Sequence, residues 1–63
     1  MWEAIEHGEN QYGSYAIFRG TDAEGETCWT WTYDHTNGMT TEPSGTVRLY
    51  DLDECRRQAA AGG

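Results

Sequence analysis

Thr27-Cys28-Trp29-Thr30-Trp31-Thr32-Tyr33 alternates large aromatic rings with small side chains. A period of two is that of a β-strand, so Trp29, Trp31 and Tyr33 share one face while Cys28, Thr30 and Thr32 share the other. Threonine and aromatic residues both favour extended backbone, so propensity agrees with pattern. Two of the chain's three tryptophans lie on that face. Burying such rings, at about 150–250 Å² each, is the main source of core open to so short a chain. The fold is expected to be built on this strand with its aromatic face inward.

Towards the N-terminus, Ser14 to Arg19 forms a second alternating run between Gly13 and Gly20. Tyr15 and Ile17 face one way and Ala16 and Phe18 the other. The polar connection from Gly20 to Glu26 makes the pair a hairpin with a somewhat long loop. Met1 to Gln11 has two readings. Trp2 and Ile5 could share a helix face with Glu3, Glu6 and Glu9 outward, stopped by Gly8 and Asn10. A strand from Trp2 to Glu6, turning through Gly8-Glu9-Asn10, is slightly preferred.

Towards the C-terminus, the strand ends at Asp34-His35-Thr36, and Asn37-Gly38 is a strong reversal signal because both residues tolerate the positive φ of a type I′ turn. Met39 to Glu42 has room to pair before Pro43, which confines that piece to an edge or a break. Thr46 to Tyr50 resumes the alternation with Val47 and Leu49 inward. Asp51 then suits a helix N-cap, with Glu54 completing a capping box and Asp53 placed to pair with Arg57. Leu52, Cys55 and Ala59 make the apolar stripe. These elements give one domain over residues 1–63: an N-terminal segment 1–11 of open structure, antiparallel strands within 14–50, and a helix over 51–61. The expected class is α+β, a three- or four-stranded antiparallel sheet with one C-terminal helix packed on the Trp29/Trp31/Tyr33 face.

Composition narrows the functional classes. The chain has 63 residues, 11 Asp plus Glu against 4 Lys plus Arg, and a formal net charge of −7; all four basic residues are arginine. A field of this sign repels nucleic acid and attracts basic surfaces, so direct nucleic-acid binding is disfavoured. Acidity kept only for solubility, or for adaptation to high salt, is the plainer alternative. Two cysteines fall far short of a disulfide scaffold. Met1-Trp2-Glu3-Ala4 lacks the basic and apolar regions of a signal peptide, and no stretch approaches the roughly 20 apolar residues of a membrane span. A soluble cytoplasmic protein is expected, in the host cytoplasm if a phage encodes it.

The succession Tyr15-Ala16-Ile17-Phe18-Arg19, a polar loop containing Gly25, Trp29-Thr30-Trp31, Asn37-Gly38 and Tyr50 before a short helix resembles the YegP-like domains, a family of small bacterial and archaeal proteins of unknown function. The resemblance spans Tyr15 to Ala60. It implies a three-stranded meander covered by one helix, often duplicated or dimerised, and it implies no catalytic residues. The segment from Gly38 to Tyr50 is longer than in that family, and Met1 to Gln11 has no counterpart there.

Chemistry-bearing residues are sparse. Cys28, Cys55, His7 and His35 are metal-ligand types but occur singly, without the close pairs of a zinc site. No metal or cofactor is therefore expected. Cys28 and Cys55 are expected to stay reduced, because a helix carrying Cys55 on the tryptophan face leaves Cys28 pointing the other way. Asp34-His35 with Ser14 or Ser44 has neither the geometry of a triad nor a nucleophile elbow. The expectation is no enzyme.

The acids remain as the signal. If the loop is extended, Asp22, Glu24 and Glu26 recur every ~6.8 Å along one side, comparable with successive phosphates. Glu3, Glu6 and Glu9 form a second series and Asp51, Asp53 and Glu54 a third. The leading expectation is a non-enzymatic protein that presents these carboxylates to a basic nucleic-acid-binding partner, as a DNA-mimic inhibitor does; in size and charge it is similar to small acidic phage inhibitors such as anti-CRISPR proteins. The alternative is a YegP-like homodimeric domain. In that reading Ala16, Phe18, Cys28 and Thr30, left outside by the single helix, or an unpaired edge strand, form the dimer contact.

Overall fold

The computed structural model describes residues 2–33 and 48–62. The expected turn at Asn37-Gly38, the pairing of Met39 to Glu42, the Pro43 break and the contributions of Asp34, His35, Ser44, Thr46 and Val47 lie outside them. Among the described residues three antiparallel strands, β1 (Glu3–Asn10), β2 (Gly13–Thr21) and β3 (Thr27–Tyr33), form a sheet in the order β1-β2-β3. A single helix, α1 (Leu52–Ala61), packs on it. The α+β class and the C-terminal helix follow the sequence pattern. Among the described residues Leu49 forms an isolated bridge with Trp29, the two exchanging backbone hydrogen bonds of 2.7 and 2.8 Å.

The helix covers the aromatic face. Ile17, Cys55 and Ala59 are its buried centre, ringed by Ile5, Tyr15, Trp29, Trp31, Leu49 and Leu52. Tyr15 and Trp31 meet edge to face with centroids 6.1 Å apart, and Trp31 and Tyr33 at 5.1 Å, the geometry ring quadrupoles favour. Both cysteines are free and fully buried, Cys28 on the opposite face from Cys55. Burial pushes the Cys55 thiol up to about 11, helped by the charge of Glu6. The indole nitrogen of Trp29 is buried without a hydrogen-bond partner.

The second face departs from expectation. Ala16 is 0% exposed, Phe18 3%, Cys28 0% and Thr30 4%. Ala16, Ile17 and Phe18 are therefore buried in succession, which on a strand means that both faces are covered. Ala16, Phe18, Cys28 and Thr30 are thus not the open surface expected of a dimer contact.

The N-terminal segment is a strand over Glu3–Asn10. It does not turn at Gly8-Glu9-Asn10; the reversal comes at Gln11-Tyr12, where Asn10 pairs with Gly13. Gly8 is extended within the β1–β2 pairing, and only glycine fits beneath the Tyr15 ring: a Cβ there would lie 2.5 Å from the Tyr15 hydroxyl. Asn10 has a different task. Its amide donates to the Ala59 carbonyl at 2.7 Å and to the Tyr33 hydroxyl at 3.1 Å, while its Oδ1 accepts from the Tyr12 amide at 2.7 Å. One side chain thereby ties the β1–β2 turn, the end of β3 and the last turn of the helix. The helix stops at Gly62, whose φ of 86° is left-handed and whose hydrogen would become, as a Cβ, a clash at 2.5 Å with the Tyr12 ring.

Between Ala4 and Glu6 the β1–β2 register slips. The extra residue, Ile5, and its neighbour Glu6 both reach the helix side: Ile5 joins the core and Glu6 pairs with Arg56. A bulge lets two successive strand residues share a face.

Candidate acidic interface

The strands fix where each acid lies. Pairing of Glu3 with Arg19, Arg19 with Trp29 and Trp29 with Leu49 sets the start of β1, the end of β2, the start of β3 and the approach to α1 in one row. The β2–β3 turn extends this end of the sheet, and the first turn of α1 lies beside it. Glu3, Asp22, Glu24, Glu26, Asp51, Asp53 and Glu54 thus gather at one end. Glu6 sits in mid-sheet under the helix. Glu9 is nearer the opposite end and on the other face, since it pairs with Ser14, next to Tyr15. The three series expected from sequence do not stay separate: two of them merge, and the series of β1 is divided.

The turn itself is not an extended loop. The Gly25 amide donates to the Asp22 carbonyl at 3.0 Å, Gly25 takes φ of 81°, and the Asp22 amide donates to the Glu26 carbonyl at 3.0 Å. This is a three-residue hairpin turn with glycine supplying the left-handed step. The Asp22 Oδ1 accepts from the amides of Glu24 and Glu26, both at 2.9 Å, and Oδ2 accepts from the Tyr50 hydroxyl at 2.8 Å. These bonds hold the Asp22 carboxyl below the usual range, first the amide of Glu26, then Tyr50, with Arg48 adding a smaller attraction, and they raise the Tyr50 phenol. The regular carboxylate spacing expected of an extended chain is therefore replaced by a knot around Asp22, with Glu24 and Glu26 exposed on the turn.

The helix start is also rearranged. Asp51 caps it by accepting from the Asp53 amide at 3.1 Å, but no capping box closes, because Glu54 is held by Arg57 and Gln58. The expected Asp53–Arg57 pair gives way to Arg56–Asp53 and Arg57–Glu54, both three residues apart. Arg56 also grips Glu6 through Nε and Nη2, which lowers the Glu6 carboxyl and raises the guanidinium. Glu3 pairs with Arg19 at 2.9 Å. Among the described residues Glu9, Glu24, Glu26 and Asp51 have no ion pair, and all four are exposed.

Sequence reasoning missed Tyr50. It is 58% exposed, stands between the turn and the helix N-terminus, and its hydroxyl joins them. The contact spans 28 residues, and nothing in the local pattern announces it. Among the described residues no group of three or more His, Cys, Asp or Glu side chains is placed to hold a metal, and no helix is long and apolar enough to cross a membrane. Comparison with known proteins yields no matching family model, no matching curated protein and no matching solved structure.

Proposed function

We propose that this chain is a non-enzymatic acidic interaction protein that engages a basic partner through the end of the sheet where the β2–β3 turn meets the start of α1. The observation carrying the reading is the Tyr50–Asp22 hydrogen bond, together with the Leu49–Trp29 bridge. These two contacts merge acids from distant parts of the sequence into one region with an exposed aromatic side chain in its midst. Tyrosine is enriched at protein interfaces, whose rims are polar. Arg19, Arg56 and Arg57 pair with Glu3, Asp53 and Glu54, so the charge the region presents rests on Glu24, Glu26 and Asp51, which have no ion pair among the described residues. A concentrated negative field speeds encounter with a cationic surface and competes with other polyanions for it.

The partner class that fits is a basic nucleic-acid-binding protein, whose groove the chain occupies in the manner of a small phage-type inhibitor. This reading rests on the sign and concentration of charge and not on phosphate-like spacing, which the tight turn removes. It is tested by retention from nuclease-treated lysate, with elution by short duplex DNA. A basic protein held by the wild type, released by DNA and lost with Glu24→Lys/Glu26→Lys is the expected result. Equal retention by the charge-reversed variant would contradict it.

A further inference from the structure

We infer that the Tyr50 ring is a platform on which an arginine side chain of the basic partner stacks, so that the acidic end selects arginine over lysine. This rests on the proposed function and narrows its cationic partner to one that presents guanidinium groups. Among the described residues the large apolar side chains left exposed are Tyr12 and Tyr50. Tyr12 lies against Gly62. Tyr50 is 58% exposed and belongs neither to the core cluster nor to the ring pairs of Tyr15, Trp31 and Tyr33.

The ring is exposed and yet fixed. Its hydroxyl donates to Asp22 Oδ2 at 2.8 Å, and Oδ1 of the same carboxyl accepts from the Glu24 and Glu26 amides. The preceding residue, Leu49, is tied to Trp29 by two backbone hydrogen bonds, and the following one, Asp51, caps α1. Held at its tip and on both sides along the chain, the side chain has little freedom left to lose on binding. With the hydroxyl occupied, the ring is the part that remains for a partner. Glu24, Glu26 and Asp51 are exposed and have no ion pair among the described residues. The Glu24 and Glu26 amides bind the carboxyl that the Tyr50 hydroxyl reaches, and Asp51 is the next residue, so these acids flank the platform. A guanidinium is planar and weakly hydrated, and it can lie on an aromatic face while donating to a carboxylate beside it. A lysine ammonium is compact and strongly hydrated, so it serves the carboxylates without using the ring. Arg48, exposed two residues earlier, forms no ion pair with a described residue and adds only a small attraction to Asp22, which leaves the flanking acids to an incoming cation.

Calorimetric titration of the protein with two peptides tests this: one alternates arginine with glycine, and the other has lysine at every arginine position, so charge and length are equal. The expected result is about fivefold tighter binding of the arginine peptide, with upfield ring-current shifts of its side-chain protons that the lysine peptide does not show. Tyr50→Phe keeps the ring and should keep an arginine preference. Tyr50→Leu should bind both peptides equally, at about the level of the lysine peptide, with an unchanged far-ultraviolet spectrum. Equal binding of the two peptides by the wild type, or an arginine preference that survives in Tyr50→Leu, would overturn the stacking platform. If that binding is nevertheless lost in Glu24→Lys/Glu26→Lys, the acidic end remains the binding region without it. Absence of binding by either peptide at low salt would also overturn the platform, and the lysate experiment would then decide the broader reading separately.

Discussion

The two ends of this sheet are held together by opposite means. At one end Asn10, Tyr12, Tyr33 and Gly62 interlock around the last turn of the helix, with a single amide side chain making three hydrogen bonds and two glycine-sized gaps filled by aromatic rings. At the other end Asp22 and Tyr50 join the turn to the helix start through groups in contact with water. Buried or half-buried hydrogen bonds have large consequences when one partner is lost, because the other stays desolvated. Exposed ones exchange readily with solvent. The end built around Asn10 should therefore carry stability, and the acidic end should be free to carry recognition.

The largest effect should come from Asn10→Ala. It leaves the Ala59 carbonyl with only the Gly62 amide, at 3.2 Å, and removes a tie between three elements, at a cost of about 2 kcal/mol. In a domain of this size that lowers the melting temperature by roughly 10–20 °C. A loss below about 0.5 kcal/mol in chemical denaturation would show that the tie is incidental.

A pH profile should separate the regions next. The Cys55 thiol is raised in the folded state, so its contribution is intact below the ordinary thiol range and lost as pH rises from about 9.0 to about 11. That loss is on the order of 2 kcal/mol. Asp22, Glu6 and Glu54 are lowered instead. Their contribution is present at neutral pH and disappears as pH falls through their depressed folded values. Thermal melts should show an alkaline decline that Cys55→Ala flattens and an acid decline that it leaves alone.

Tyr50→Phe should have the smallest effect on stability, about 0.5 kcal/mol, since its hydrogen bond is exposed. Its consequence is local. Amide exchange at Glu24 and Glu26 should accelerate while exchange in mid-strand β2 stays unchanged; a global increase would place Tyr50 in the stability framework and erase the contrast between the ends.

Much of this division was legible in the sequence. The alternation from Thr27 to Tyr33 specified the strand and its inward face, and Leu52, Cys55 and Ala59 specified the helix stripe, because periodicity is a local property. The covered second face was not legible. Alternation on β2 makes Ala16 and Phe18 look like solvent-side residues, and only tertiary packing buries them. Gly8 and Asn10 misled in the same way. Their turn propensity is real, but the Tyr15 ring and the Ala59 carbonyl, from elsewhere in the chain, decide their use. At the acidic end the residues were identified by charge, whereas their grouping depended on Tyr50 reaching Asp22. Ion-pair partners shifted by one position because exposed arginines choose among several nearby acids with little energy at stake.

The acidic end is proposed to serve binding and to contribute little to folding. Glu24→Lys/Glu26→Lys tests it most directly, with melting temperature and retention of a DNA-displaceable basic partner measured on the same preparation. The expected result is a melting temperature unchanged within a few degrees, because these side chains are exposed and unpaired among the described residues, together with loss of the partner. A variant that melts much lower, or one that keeps the partner at wild-type level, would contradict it.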